Sequence, residues 1–169
     1  MNLVLCGMMG AGKTTIGIKI AELTGRRWYD TDGVIVDKYG KISDIFEYYG
    51  EAHFRKLETE IIKDLAKMDN LVISTGGGLV LKSENNAVLQ ENGKIVFLRA
   101  SLETLAKRLN VDGTRPLLQT STESIRDRLA RLMQERMPVY EHVADYIVDV
   151  DGKTPESIAR EVVAIVDGK

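Results

Sequence analysis

A glycine-rich segment near the start of the chain constrains its fold more than any other feature. Residues 7–14, GMMGAGKT, match the pattern G-x-x-x-x-G-K-[ST] at every fixed position. The apolar run NLVLC precedes the segment, and residues 13–23 follow with apolar side chains at helical spacing. Strand, glycine loop and helix in this order hold phosphate oxygens through backbone N–H groups and the positive end of the helix. The segment predicts a nucleoside triphosphate site in an α/β protein.

The residues of this loop have distinct predicted roles. Lys13 is expected to reach the β and γ phosphates, and the Thr14 hydroxyl is expected to ligate Mg²⁺. A chance match is the alternative, and average residue usage gives one in roughly a few hundred chains of this length. The strand before the loop and the helix after it argue against chance. The predicted ATP-binding residues of the loop are Gly10, Ala11, Gly12, Lys13, Thr14 and Thr15.

Short apolar runs alternate with helical periodicity along the rest of the chain. Strands are predicted at residues 2–6, 27–29, 71–74, 94–98 and 146–150. Helices are predicted at residues 13–23, 33–39, 43–49, 51–68, 83–90, 101–109, 123–139 and 155–166, with Ser43 and Ser101 as caps. This alternation is typical of a three-layer α/β/α fold with a central parallel sheet, here of about five strands. Ligands bind such sheets at the carboxyl ends of the strands, where the segments 7–12, 30–32 and 76–78 follow.

Length and charge limit the class of protein. The chain has 169 residues, enough for one domain, with 23 basic and 25 acidic side chains and a net charge of -2. A protein that binds nucleic-acid phosphates usually has a basic excess, so no nucleic-acid partner is expected. One cysteine allows no intrachain disulfide, and no apolar run approaches the length of a membrane span or forms a secretory signal. We therefore expect a cytoplasmic protein without a membrane partner. A monomer is also expected, with a dimer as the alternative that the acidic surface leaves open.

A phosphate loop alone does not identify the phosphoryl acceptor. The chain is short for a GTPase and has no N-K-x-D element for guanine, and it lacks the additional domains of a motor or helicase. A small kinase is the remaining class that fits best.

Six motifs together carry a resemblance to a known family. They are GxxGAGKTTxG at residues 7–17, DTD at 30–32, FRxxE at 54–58, TGGG at 75–78, RPLL at 115–118 and ERxPxY at 135–140. In this order and combination the chain resembles the shikimate kinases, over nearly its whole length. The first motif is shared with many unrelated ATPases, whereas the other five in combination are specific. The resemblance implies phosphorylation of the 3-hydroxyl of shikimate by ATP, with Mg²⁺ as cofactor.

The resemblance also implies roles for residues outside the loop. Arg55 and Arg136 would bind the shikimate carboxylate, because a planar guanidinium group can donate two parallel hydrogen bonds to a carboxylate. Asp32 would accept hydrogen bonds from the ring hydroxyls and orient or deprotonate the attacking one. Asp30 would help to hold Mg²⁺ through water. The other substrate-binding residues implied are Phe46, Glu58, Gly76, Gly77 and Gly78.

Each of these residues also has an ordinary structural explanation. Arg55 and Glu58 could form a surface ion pair on a solvated helix face, and Arg136 could be a solvated charge in a helix with several arginines. The two aspartates of DTD could simply stabilise a turn, since aspartate is common in turns. The glycines at 76–78 could form a flexible turn.

The resemblance divides the single kinase domain, residues 1–169, into further parts. Residues of about 33–60 would form a substrate-binding insertion. Residues of about 110–122 would form a lid that closes over the nucleotide and excludes water, with Arg115 neutralising phosphate charge; a plain solvated loop is the alternative. Arg108 and Lys153 are predicted beside the adenine, although the family often has arginine near the position of Lys153.

Two other functions are compatible with the same motifs. One is a different small kinase on this scaffold, such as a gluconate kinase or a nucleoside monophosphate kinase. The paired arginines with Asp32 favour a polyol with a carboxylate over a base. The other is a catalytically inactive ATP-binding module, against which the intact Lys13, Thr14, Asp32, Arg115 and Arg136 argue.

Overall fold

Five parallel strands form the centre of the molecule. A computed structural model describes residues 1–112 and 124–168, and of residues 110–112 only the backbone. The strands are β1 (Asn2–Cys6), β2 (Arg27–Asp30), β3 (Leu71–Ser74), β4 (Gly93–Arg99) and β5 (Tyr146–Asp149). Their order across the sheet is β2-β3-β1-β4-β5, and every pairing is parallel. The predicted sheet is therefore confirmed.

Helices cover both faces of this sheet. They are α1 (Lys13–Thr24), α2 (Thr31–Tyr39), α3 (Ile42–Tyr49), α4 (Glu51–Ala66), α5 (Ser83–Glu91), α6 (Leu102–Asp112), α7 (Ile125–Val143) and α8 (Pro155–Asp167), with a 3₁₀ turn at Leu79–Leu81. α1 packs against α8 and β3, whereas α5 and α7 pack against β4. This is the expected three-layer α/β/α arrangement. None of the described helices is both long and apolar enough to cross a bilayer.

The order of the strands brings three loops to one edge of the sheet. β1 and β3 are buried along their whole length, and β3 lies between β1 and β2. In the register of the sheet, Ser74 at the end of β3 lies opposite Leu5 of β1 and Asp30 of β2. The segments that follow these strands therefore start side by side, as expected for the ligand edge of a parallel sheet.

Some helix boundaries differ from the sequence prediction. α2 begins at Thr31 because the carboxylate of Asp30 accepts the backbone N–H of Asp32 at 3.1 Å, so the DTD segment is a helix start rather than a free turn. α3 begins at Ile42 without a side-chain cap, so the prediction that Ser43 caps it is wrong. Ser101 is a cap as predicted, because its hydroxyl accepts the N–H of Thr104.

The segment predicted as a lid is only partly described. α6 continues to Asp112, so the first three residues of the segment 110–122 are helical and not a loop. The remainder, including Arg115, lies outside the residues that the structure describes. α7 then begins after Ser124, whose hydroxyl accepts the N–H of Asp127 at 3.1 Å.

Candidate active site

The phosphate loop has the backbone geometry that its glycines allow. Gly7 and Gly12 have φ values of 146° and 98°, which side chains rarely adopt. A Cβ at Gly7 would also lie 2.7 Å from the carbonyl oxygen of Leu98, so the loop packs closely on β4. Lys13 Nζ donates to the carbonyl oxygen of Gly7 at 2.5 Å, and Thr14 is exposed at the start of α1. The loop thus presents a cation and a hydroxyl at a helix N-terminus.

A hydrogen-bonded relay lies behind this loop and was not predicted from the sequence. The Trp28 indole N–H donates to the Ser74 hydroxyl at 3.0 Å, and that hydroxyl donates to the carbonyl oxygen of Lys13 at 2.7 Å. A Cβ at Gly17 would lie 2.5 Å from the hydroxyl oxygen of Ser74, so glycine makes room for the relay. Through these two hydrogen bonds the relay connects the first turn of α1 to the end of β3.

Three consecutive glycines after β3 each make room for a charged side chain. The shortest distances from an added Cβ are 2.7 Å for Gly76 to Asp32 Oδ1, 2.9 Å for Gly77 to Arg136 Nη1 and 2.5 Å for Gly78 to Arg55 Nη1. Gly76 N–H also donates to the hydroxyl of Thr31 at 2.9 Å, which ties the glycines to the start of α2. The glycine segment is therefore fitted to its neighbours and is not merely a flexible turn.

Arg55 and Glu58 form an ion pair on α4 in which Glu58 is buried and Arg55 is half-buried. Arg55 Nη1 donates to Glu58 Oε1 at 2.7 Å, and Glu51 accepts from the same guanidinium at 3.3 Å. Glu58 is 1% exposed, and its second oxygen, Oε2, is buried without a hydrogen-bond partner among the described residues. Burial raises the pKa of Glu58, although Arg55 acts in the opposite direction. The alternative of an ion pair on a solvated helix face is thus wrong for Glu58.

Arg136 is also buried and not a solvated helix charge. It is 7% exposed, and its Nη1 has no hydrogen-bond partner in the described part of the chain. Four residues further along α7, the hydroxyl of Tyr140 donates to the carbonyl oxygen of Gly77 at 2.5 Å. Burial raises the pKa of Tyr140 to about 12, while the charge of Arg136 favours the phenolate. Tyr140 belongs to the ERxPxY motif, but the sequence did not indicate what it contacts.

One cavity of about 940 Å³ brings most of the predicted residues together. The phosphate loop and Arg108 line one part of it, and Phe46 packs on Phe54 in another, with ring centroids 5.0 Å apart. The predicted residues that line it are Gly10, Gly12, Lys13, Thr14, Thr15, Asp30, Asp32, Phe46, Arg55, Glu58, Gly76, Gly77, Gly78, Arg108 and Arg136. Among the lining residues that were not predicted are Met9, Phe54, Leu109, Pro155 and Ile158.

Two predicted residues in the described part of the chain, Ala11 and Lys153, do not line this cavity. Ala11 is buried inside the loop. Lys153 Nζ donates to Glu161 Oε2 at 2.9 Å, while Pro155, two residues along, does reach the cavity. Arg115 lies in the segment that is not described.

Comparison with known proteins gives a consistent result. The family model described as shikimate kinase matches residues 9–167. A shikimate kinase of Caldicellulosiruptor bescii is 45% identical over 165 residues, which cover 97% of this chain and 94% of that protein. Among solved structures, shikimate kinase from Acinetobacter baumannii in complex with shikimate superimposes with a TM-score of 0.92 at 36% identity, covering 99% of this chain and 93% of that one. A gluconokinase from Sinorhizobium meliloti, at 21% identity, covers 96% of this chain and 89% of its own with a TM-score of 0.64, and so shares the fold alone.

Proposed function

The chain belongs to the shikimate kinase family, and we propose that it transfers the γ-phosphoryl group of ATP to the 3-hydroxyl of shikimate. One observation carries this proposal beyond the family match. A single cavity is lined by the phosphate loop, by carboxylates that include Asp32, and by two guanidiniums, of which that of Arg136 is buried and that of Arg55 half-buried. Shikimate has hydroxyl groups, from which a carboxylate can accept hydrogen bonds, and a carboxylate, which guanidiniums can bind. Both kinds of partner line the cavity that would also hold the phosphates of ATP.

The acceptor carboxylate is assigned to Arg55 and Arg136. Arg136 Nη1 is buried and has no partner among the described residues, so a bound carboxylate would satisfy it. Arg55 is held by Glu58, and the hydrogen bond and charge of that carboxylate raise the pKa of Arg55 despite its burial. Two arginines on different helices would fix the ring of the acceptor in one orientation.

Asp32 is assigned to the attacking hydroxyl. It lies at the start of α2 against Gly76, close to where the phosphate loop and the glycine segment meet. A carboxylate there would accept the hydroxyl proton and orient the oxygen for in-line attack. Because phosphoryl transfer depends mainly on positioning and charge neutralisation, Asp32 need not be a strong base.

Lys13 is assigned to the transferred phosphoryl group. Its ammonium rests on the carbonyl oxygen of Gly7, at the mouth of the loop, so a bound triphosphate would compete for it. The charge that it places beside the phosphates stabilises the transition state. Backbone N–H groups from Gly10 to Thr15 would hold the remaining phosphate oxygens.

The side chains present fit Mg²⁺ bound together with ATP. No group of three or more histidine, cysteine or acidic side chains in the described residues could form a metal site of its own. Mg²⁺ usually keeps several waters and takes few protein ligands along with substrate phosphates. We assign the Thr14 hydroxyl as a ligand and Asp30 as a partner through water, and both residues line the cavity. When bound, Mg²⁺ would neutralise phosphate charge.

The base of the nucleotide is assigned to the part of the cavity lined by Arg108. Its Nη1 donates to the carbonyl oxygen of Gly10 at 2.8 Å, so a flat guanidinium lies beside the loop. Leu109, Pro155 and Ile158 add apolar surface to the same cavity. Lys153 remains a predicted contact that would require release from Glu161, and Arg115 remains a predicted phosphate contact from the lid.

The test is release of ADP from ATP with shikimate, quinate, gluconate or CMP as acceptor. Shikimate is expected to give the fastest turnover, and Lys13→Ala serves as the inactive control. Faster release with gluconate or CMP would support another small kinase. ATP binding without turnover on any acceptor would support an inactive module. The single domain with its insertion at about 33–60, the monomeric state and the cytoplasmic location remain predictions from the sequence.

A further inference from the structure

Tyr140 is a buried side chain for which the proposed reaction gives no role. It is 0% exposed, and its ring packs on Phe97 with centroids 5.1 Å apart. It lies four residues after Arg136 on α7, so the two side chains share a face of the helix. Packing on Phe97 requires only an aromatic ring, and phenylalanine would fill the same space.

The hydroxyl of Tyr140 makes a specific contact with the glycine segment. It donates to the carbonyl oxygen of Gly77 at 2.5 Å. A pKa of about 12, raised by burial, keeps the proton on this oxygen at any working pH, so the group is a permanent donor. The hydroxyl therefore fixes the peptide that follows Gly77.

Gly77 is in turn the surface against which Arg136 lies. A Cβ at Gly77 would be 2.9 Å from Arg136 Nη1 and 3.7 Å from the hydroxyl oxygen of Tyr140. Because Nη1 makes no hydrogen bond within the described residues, the position of the guanidinium depends on the groups packed around it. A shift of the Gly77 peptide would let the guanidinium move.

We propose that Tyr140 is a positioning residue for the acceptor, whose hydroxyl holds Gly77 and thereby holds Arg136 in place for the acceptor carboxylate. The proposal rests on the proposed function, because it takes Arg136 to bind that carboxylate. It assigns no direct contact between Tyr140 and shikimate, and its effect belongs to acceptor binding rather than to the chemical step.

The test is the kinetics of Tyr140→Phe, which keeps the ring and removes the donor. The KM for shikimate is expected to rise about tenfold, as for the loss of one hydrogen bond, while kcat and the KM for ATP stay within about twofold. Phe97→Leu is the matched control, because it disturbs the same ring contact without touching Gly77. It should lower the melting temperature and leave the KM for shikimate unchanged. Replacing Tyr140 with p-aminophenylalanine restores a donor and should restore the KM.

A double-mutant cycle shows whether Tyr140 acts through Arg136. If it does, Tyr140→Phe should raise the KM for shikimate much less in an Arg136→Lys background than in the wild type. Equal increases in both backgrounds, or an unchanged KM in the single variant, would overturn the proposal. If Tyr140→Phe is partly unfolded, shikimate affinity is measured by calorimetry below its melting transition, where the same tenfold loss is expected. A wild type that does not phosphorylate shikimate would instead refute the proposed function.

Discussion

A single methyl group at Gly78 should impair acceptor binding without unfolding the protein. Gly78 has φ -96° and ψ -4°, which alanine adopts without strain, so the backbone does not oppose Gly78→Ala. The added Cβ would lie 2.5 Å and 2.6 Å from the two terminal nitrogens of Arg55. The guanidinium must therefore move by about 0.9 Å to reach 3.4 Å, where ordinary contact begins.

The cost follows from what the guanidinium now contacts. The Arg55–Glu58 hydrogen bond of 2.7 Å would be lost or badly lengthened by such a move, and a hydrogen bond to a charged group contributes about 1.5–3 kcal/mol. The fold should survive, because the displaced group is the end of a flexible side chain. If the shikimate carboxylate loses a similar amount of binding free energy at the displaced Arg55 guanidinium, the KM for shikimate should rise by roughly 10- to 150-fold. The KM for ATP should be nearly unchanged.

The assay is steady-state ADP release with each substrate varied in turn, with calorimetric titration of shikimate as a second measurement. Gly33→Ala is the matched control, because its Cβ would meet Asp30 Cβ at an ordinary 3.6 Å within α2. It should keep both KM values and be slightly more stable. A wild-type KM for shikimate in folded Gly78→Ala would refute the reasoning, since Arg55 would then bind the acceptor from a different position or not at all.

Three further predictions concern single side chains. Lys13→Ala should nearly abolish kcat while circular dichroism shows a native fold, and near-normal kcat would contradict the role of the phosphate loop. Arg136→Lys keeps the charge but loses the fork, so the KM for shikimate should rise with little change for ATP; an unchanged value would mean that Arg136 does not bind the carboxylate. Burial raises the pKa of Glu58 above its ordinary 4.5. The protonated carboxyl therefore contributes to the free energy of unfolding in full below pH 4.5, and this contribution is lost as the pH rises through the raised pKa. Glu58→Gln should therefore flatten the decline of the melting temperature above pH 4.5, and an unaltered profile would be evidence against this titration.

The parallel sheet could be predicted because its strands are short apolar runs that end in glycine or aspartate. β1 and β3 have the predicted bounds, and both are buried along their whole length. Boundaries were less predictable where a cap depends on backbone geometry. Asp30 could have been expected to cap α2, since aspartate is a preferred N-cap, but the same residue is equally typical of a turn.

The candidate site depended on contacts between residues far apart in the chain. Helical spacing places Arg55 and Glu58 on one face of α4, but it cannot show that this face is buried against the glycine segment. Likewise, nothing local to Tyr140 indicates that its hydroxyl reaches a carbonyl group 63 residues earlier. The resemblance to a family identified the charged residues, because its motifs name them, but not the groups that hold them in place.

The relay behind the phosphate loop gives the molecule an optical property. The chain has one tryptophan, and its indole N–H is two hydrogen bonds away from the main chain of Lys13. Indole emission responds to changes in hydrogen bonding and polarity around the ring. All tryptophan fluorescence therefore originates at β2, and none originates in α2, α3 or α4. Unlabelled protein thus has a single spectroscopic reporter, whose hydrogen bonds lead to the first turn of α1.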